Sequence, residues 1–469
     1  MARAIRQREA APKIRGVPAS PVREATHDRL TSRPWWLLAA PALFAIGLWT
    51  LVADVPGWNA LWYLFAWYAW LLGLDAAVLA VSGRSWIAAQ GRRLPAMLLA
   101  SVPFWYLYEA YNLRLENWYY VFTLRNDRLQ LVVSVLAFAT VLPACFLHAE
   151  LVAALRLFER VRWRELHVGR GLELTVAALG VASLAAPLVW PRWAFPLVWG
   201  ATLWLPELAN WRRGGESLLR DLSGGRPQRL LRLLAGGLLA GVVWELLNFW
   251  SRCKWIYAVP FFDRLKLFEM PLLGFLGFPP LALGAFAVWS LLLPAPRRET
   301  DATPRRALRK PLLAIGALVA AILCVQVFRH VLADTVRSRR PLLDELPGLG
   351  ADGAEALAGA GVETPERLER AVARRGIAAV AGAAHLRPAT LALAARQAAL
   401  ALHKGMGSRA AAQLAAVGVL DVATLGRQDV EALAARLRDL GNRTGADVPR
   451  RAEVQVWVEA ARGRTRPRR

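Results

Sequence analysis

Two stretches place carboxylates where a long apolar chain would not put them by default. Residues 105–120 read WYLYEAYNLRLENWYY, and residues 244–257 read WELLNFWSRCKWIY. Each has a glutamate, an asparagine three residues later, and then Trp-x-Tyr: Glu109, Asn112, Trp118 and Tyr120 in the first, Glu245, Asn248, Trp255 and Tyr257 in the second. The Glu and Asn pairs match at an offset of 136, and the Trp and Tyr pairs at an offset of 137. A Glu and an Asn three apart share one helix face. Ionisable groups inside apolar runs are costly, so a pattern repeated in this way asks for a reason. The functional reading is a polar site walled by aromatics and joined by Glu269, which opens the next apolar run. Such a site could take a transported or lipid substrate, or use its carboxylates as general acid and base on an apolar lipid. The plainer alternative is that these groups pair with one another, or reach nearby headgroups, and lock helices together.

Little else in the chain could do chemistry. The sequence contains no aspartate-rich pyrophosphate motif, no HExxH, no P-loop and no GxSxG. No catalytic residue is therefore assigned, and an enzyme is the less favoured class. His148, beside Glu150, reads as a structural histidine. Cys145, Cys253 and Cys324 are scattered without metal-ligand spacing, so neither a metal nor a cofactor is expected.

The elements that must position these residues are apolar helices. Of the 469 residues, 56% are hydrophobic, and the 21 tryptophans sit mostly in the first 300 positions. That composition fits a polytopic membrane protein with rings at the interfaces. Runs long enough to span lie at about 34–53, 58–82, 94–112, 130–156, 171–190, 194–211, 230–251, 268–294 and 311–333. This makes about nine helices, of which 194–211 is the shortest. The run at 268–284, FEMPLLGFLGFPPLALG, is rich in Gly and Pro and predicts a kinked or broken helix lining a cavity. Arg and Lys concentrate in the gaps 83–93, 157–170, 212–229 and 295–310. The asymmetry places the N-terminus in the cytoplasm of a bacterial inner membrane, and nine crossings would put the C-terminus outside. Part of the net charge of +24 is thus topology signal rather than a nucleic-acid footprint.

The pairs also set a repeat. Asp75 with SGRSW corresponds to Glu207 with GGESL at an offset of 132. Helices one to four then match five to eight, a parallel 4+4 repeat plus one extra helix. The expected order is a disordered basic tail (1–33), a transmembrane domain of two repeats (about 34–158 and 171–294), a basic loop (295–310), a last transmembrane helix (311–333), a soluble domain (341–462) and a basic disordered end (463–469).

The composition changes after Ala333: aromatics nearly vanish and Ala, Arg, Leu and Gly dominate. Residues 346–368, LPGLGADGAEALAGAGVETPERL, align with 403–425, HKGMGSRAAAQLAAVGVLDVATL, at a constant offset of 57. The pattern is a Gly-x-Gly turn between helices, an Ala/Leu-patterned helix, and a Gly-Val restart. It resembles the helix-hairpin-helix unit, and 341–462 as a whole resembles an uncharacterised bacterial domain family built from two such units. The resemblance implies a small soluble all-α domain that holds nucleic acid without reading sequence, or a protein partner. In nucleic-acid-binding relatives the turn amides meet a phosphate at a helix N-terminus. Lys404, Gly405, Gly407, Ser408 and Arg409 form a plausible anion cradle in the second unit. In the first unit Asp352 would repel phosphate. Residues 335–469 carry 22 Arg or Lys against 14 Asp or Glu, which is basic but not extreme. The expected partners are the lipid bilayer and, through the C-terminal domain, DNA or a protein.

Overall fold

A computed structural model of the chain describes residues 36–53, 57–261, 265–292 and 305–465. The expected basic tail (1–33), residues 295–304 of the expected loop, and the last four residues lie outside them.

The described chain is mostly helical. Its apolar part runs α1 (Trp36–Val52), α2 (Trp62–Ser82), α3 (Trp86–Gln90), α4 (Arg93–Leu115), β1 (Trp118–Val121), α5 (Asp127–Phe138), α6 (Val141–Ala154), α7 (Arg170–Val189), α8 (Pro191–Ala194), α9 (Trp204–Arg212), α10 (Leu218–Ser223), α11 (Gln228–Trp250), β2 (Lys254–Tyr257), β3 (Lys266–Leu267), β4 (Met270–Pro271), α12 (Phe278–Leu292) and α13 (Arg305–Asp334). The C-terminal domain follows as α14 (Gly350–Gly359), α15 (Pro365–Arg375), α16 (Ile377–Ala383), α17 (Pro388–Leu402), α18 (Gly407–Ala416), α19 (Val422–Gly426), α20 (Val430–Thr444) and α21 (Arg451–Thr465).

Among the described residues, six helical segments are long and apolar enough to cross a membrane: Asn59–Ser82, Asp127–Ala154, Arg170–Val189, Gln228–Trp250, Leu272–Leu292 and Ala314–Asp334. Nine were expected. Helix α1 is shorter, and α4 is long but carries Arg93, Glu109, Asn112 and Arg114. The run at 194–211 is not one helix: a 3-10 turn at Phe195–Gly200 breaks it before α9. Pro196 at the start of that turn removes a backbone donor. Gly200 sits so close to Trp204 and Ser183 that a Cβ would meet the Ser183 hydroxyl at 2.6 Å. The Gly/Pro-rich run opens as β4 and a 3-10 turn at Leu272–Gly277 before α12 begins. Two expectations near α13 and α21 also change. Residues 305–310 form the first turns of α13 rather than a loop, and α21 continues through 463–465.

Local capping explains the short helices. Ser85 accepts the Ala88 amide at the start of α3, and Ser217 accepts the Arg220 amide at the start of α10. Behind these caps sit two buried carboxylates. Asp75 accepts Ser85 Oγ at 2.6 Å and the Ile87 amide at 2.9 Å. Glu207 accepts Ser217 Oγ at 2.5 Å and the Leu219 amide at 2.8 Å. The same two bonds therefore recur at the offset of 132 that relates Asp75 to Glu207.

Strands β1 and β2 pair antiparallel, with Trp118 opposite Tyr257, Tyr119 opposite Ile256 and Tyr120 opposite Trp255. This pairing brings α4 and α11 to an end on one face of the apolar part. The segment leaving α13 joins the same face: Tyr120 N donates to Thr335 O at 3.0 Å, and Arg337 N donates to Tyr120 O at 2.9 Å. The arginine-rich connections lie at the opposite ends, where Trp163 N donates to Gly225 O at 3.2 Å and Leu166 N to Leu222 O at 3.0 Å. The C-terminal domain thus sits on the face where α4, α11 and α13 end.

Candidate functional site

Asn112 and Asn248 turn each long helix into its strand. Asn112 Nδ2 donates to Trp118 O at 2.8 Å, while its Oδ1 accepts the amides of Asn117 and Trp118 at 2.9 and 3.2 Å. Asn248 Nδ2 donates to Trp255 O at 3.0 Å, and its Oδ1 accepts the Trp255 amide at 3.1 Å. Both side chains are buried. Their role is to fix the strand's start, and with it the direction of every side chain that follows.

Strand alternation then aims every second side chain at a carboxylate. Trp118 and Tyr120 point to Glu109, with Trp118 Nε1 at 3.4 Å and Tyr120 Oη at 2.5 Å from Oε1. Trp105, one turn earlier on α4, adds a third donor at 3.0 Å. Trp255 Nε1 and Tyr257 Oη donate to Glu245 Oε1 at 3.3 and 2.8 Å. Burial first, and then the neighbouring carboxylate, hold both Tyr120 and Tyr257 well above the ordinary phenol value, so both remain donors. Glu109 and Glu245 are 1% and 0% exposed. In each the second oxygen, Oε2, has no hydrogen-bond partner among the described residues.

The two cradles differ at the helix turn before each carboxylate. The counterpart of Trp105 at the offset of 136 is Gly241, and the Phe278 ring occupies the room its missing side chain leaves. Donors of both cradles, but Glu109 rather than Glu245, line a cavity of about 100 Å³ bounded by α4, α5, α13 and the sheet. Glu109 lines it, with Trp105, Trp118, Trp244 and Trp255. Helix α13 closes one side with Phe328 and Val331, and the outgoing Val336 closes the top. The Gly/Pro-rich start of α12 does not line this cavity.

Glu269 belongs to a different cluster. It is 1% exposed and accepts Lys254 Nζ at 2.7 Å and Lys404 Nζ at 2.9 Å. Burial would raise its carboxyl, but the two ammonium charges outweigh that and hold it below the ordinary value. Lys254 lies on β2 and Lys404 on the second glycine turn of the C-terminal domain, so Glu269 ties the two parts together.

The other face of the small sheet completes that union. Tyr119, Val121 and Ile256 pack into one cluster with Leu400, Met406, Leu414 and Trp457 of the C-terminal domain. Gly405 seats against Val121, and its carbonyl accepts Ser338 Oγ at 2.6 Å. Around the rim Arg337 pairs with Glu453 and Arg450 with Glu116, both at 2.9 Å.

The residues read from sequence as an anion cradle therefore have these surroundings. Lys404 is bonded to Glu269 and Gly405 lies on β1. Gly407, Ser408 and Arg409 line a polar cleft of about 560 Å³ shared with Arg125, Arg337 and Arg339. Carboxyl and carbonyl groups of the chain itself already face them. Ser408 Oγ donates to Glu345 at 2.7 Å, Arg125 pairs with Glu345 at 2.5 Å, and Arg409 donates to the Asp447 carbonyl. Of the five membrane candidates, the structure brings Glu109, Asn112, Glu245 and Asn248 to one sheet and sets Glu269 beside it. Sequence reasoning noted the Trp-x-Tyr pairs but missed their role as donors, and it missed Lys254. The signal was there: WYYV and KWIY are made almost wholly of aromatic and β-branched strand formers.

Comparison with protein families gives a match to the model of a domain of unknown function, DUF4332, over residues 347–464. It covers the C-terminal domain. Neither the curated proteins nor the solved structures contain a match to the chain.

Proposed function

We propose that this is a polytopic bacterial inner-membrane protein that handles a small or lipid-like substrate at Glu109 and Glu245, in the manner of a transporter, with its C-terminal domain as a fixed cap. In this reading the two halves of the apolar part are a parallel repeat (about 34–158 and 171–294) with α13 as the added helix. Support comes from the matched bonds of Asp75 and Glu207, of Asn112 and Asn248, and of Glu109 and Glu245. The pairing of Tyr119 with Ile256, which stand at the repeat's own offset of 137, adds to it. The arginine-rich face is cytoplasmic, so the capped face is external. The C-terminal domain is a pair of helix-hairpin-helix units used for protein contact. The cations of its second turn answer carboxylates of the same chain, which leaves little for a phosphate backbone.

One observation carries the reading. Two buried carboxylates each have one oxygen saturated by indole and phenol donors and the other without a partner. Helix locks do not need this; a buried carboxyl oxygen left without a partner costs about 1–3 kcal/mol, and more when the group is ionised. Such a group is retained where a ligand or proton is to be met.

The test is thermal stability of the full-length protein in detergent. A functional carboxylate burdens the empty protein, so Glu109→Gln and Glu245→Gln should leave Tm unchanged or raise it by a few degrees. A fall of more than about 5 °C in both would make them structural locks and overturn the reading.

A further inference from the structure

We infer that the cavity beside Glu109 binds a small organic ammonium group, either as a free amine or as the headgroup of a lipid. The inference rests on the reading above and names the ligand chemistry of the same site.

Charge comes first. Among the described residues lining the cavity, Glu109 is the one acid and Lys254 the one base. Lys254 is already committed to Glu269 at 2.7 Å. The acid group left unpaired at the cavity is therefore Glu109, whose Oε2 has no partner among the described residues. A cation answers it most directly, since it also offsets the cost of holding the carboxylate ionised in a buried place.

The walls then select the kind of cation. About half of the lining residues are aromatic, Trp105, Trp118, Tyr120, Trp244 and Trp255 among them. Their rings form a connected group: the Trp105 and Trp244 centroids are 5.1 Å apart, and those of Trp244 and Trp255 are 5.9 Å apart. Aromatic faces attract a cation by their quadrupole and accept its carbons at the same time. An inorganic ion would need several oxygen or nitrogen ligands, and among the described residues no three His, Cys, Asp or Glu side chains come together. An alkylammonium needs one carboxylate and apolar walls, which is what the cavity offers.

Size sets the upper limit. The cavity holds about 100 Å³, less than the roughly 150 Å³ of an engineered cavity that admits benzene. A trimethylammonium group or a smaller amine fits this limit; a fused-ring cation does not.

The experiment follows tryptophan fluorescence of the full-length protein in detergent during titration with choline, at constant ionic strength set with sodium chloride. Two controls accompany it: 3,3-dimethylbutan-1-ol, the uncharged isostere of choline, and the Glu109→Gln protein. The expected result is a saturable change with choline, and binding weaker by about tenfold or more for the isostere and for Glu109→Gln. A second arm compares nanodiscs of phosphatidylcholine and phosphatidylglycerol. Loss of the choline response only in phosphatidylcholine assigns the headgroup as the ligand, and an equal response in both assigns a free amine. No saturable change with choline, or equal binding of choline and its isostere, overturns the inference. The isostere needs no variant, so the outcome stands even if Glu109→Gln folds poorly. If choline fails to bind while Glu109→Gln keeps its Tm, the ammonium is wrong and the site reading survives. If Glu109→Gln and Glu245→Gln both lose more than about 5 °C in Tm, the site reading itself has failed.

Discussion

The two glycine turns of the C-terminal domain share a sequence skeleton and differ in their surroundings. Gly348 and Gly350 have φ of +82° and +61°; their counterparts Gly405 and Gly407 have +71° and +78°. All four need the left-handed region that glycine enters without steric cost. Around the first turn there is space: a Cβ on Gly350 would meet nothing within 4 Å, and one on Gly348 would touch Leu393 and Thr390 at an ordinary 3.8 Å. Around the second there is none. A Cβ on Gly405 would run into Val121 of β1, and one on Gly407 would meet Ser338 Cβ at 2.7 Å. Local sequence therefore decides that each turn forms, and the neighbouring surface decides what the turn is for. The second turn, which looks from sequence like the better phosphate cradle, is the one that docks.

The largest effect should come from removing the anchor that only the second turn has. Glu269→Gln leaves Lys254 and Lys404 together in a buried place with no anion, at a cost of about 3–5 kcal/mol. The C-terminal domain should then come off the sheet, exposing the connecting segment 335–340 to protease while the domain itself stays folded. Acid should do the same by degrees. The Glu269 carboxyl titrates lower in the docked protein than when free. Its contribution is therefore fully present above the ordinary carboxylate value near 4.5 and fades as pH falls through the docked value. Docking that is unaffected by Glu269→Gln would break the comparison, because the two turns would then differ in contact but not in energy.

Gly405→Ala should come next, at about 2–4 kcal/mol, from a Cβ forced against β1 together with the strain of a positive φ. Its readout is hydrogen exchange in residues 118–121 and 254–257, which should quicken as the sheet loses its cover. Because the same sheet aims Tyr120 and Tyr257 at the carboxylates, the variant should also disturb choline binding at Glu109. Faster exchange with unchanged binding would show that the sheet holds its lower face without the cap.

How much of this was legible beforehand follows the range of the forces involved. The apolar runs and the Glu/Asn spacing are local patterns, and they pointed to α2, α4, α7, α11 and to the four residues now found around one sheet. The change of composition after Ala333 likewise marked the C-terminal domain. The small sheet itself was missed, because its pairing joins positions as distant as Tyr119 and Ile256, and four-residue strands barely rise above the helical pattern around them. The break within 194–211 had a signal in Pro196 and Gly200, but hydropathy summed over a window hides it. The partner of Lys404 had no signal at all. Glu269 is far from it along the chain, and only the fold decides that a basic turn faces a carboxylate rather than a phosphate.

The smallest effect should be Gly350→Ala. Here the Cβ enters open space, so what remains is the strain of holding alanine at φ +61°, about 1 kcal/mol. The loss should appear as a modest drop in the domain's own unfolding temperature, with no release from the sheet and no change at Glu109. Set beside Gly405→Ala, it separates the intrinsic cost of the turn from the cost of the surface behind it. If Gly350→Ala also loosened the sheet, the first turn would be part of the docking surface, and the division of labour between the two hairpins would have to be redrawn. If both glycine variants cost the same, backbone strain alone would account for the pair, and the crowding at Val121 would be slack that the loop can take up.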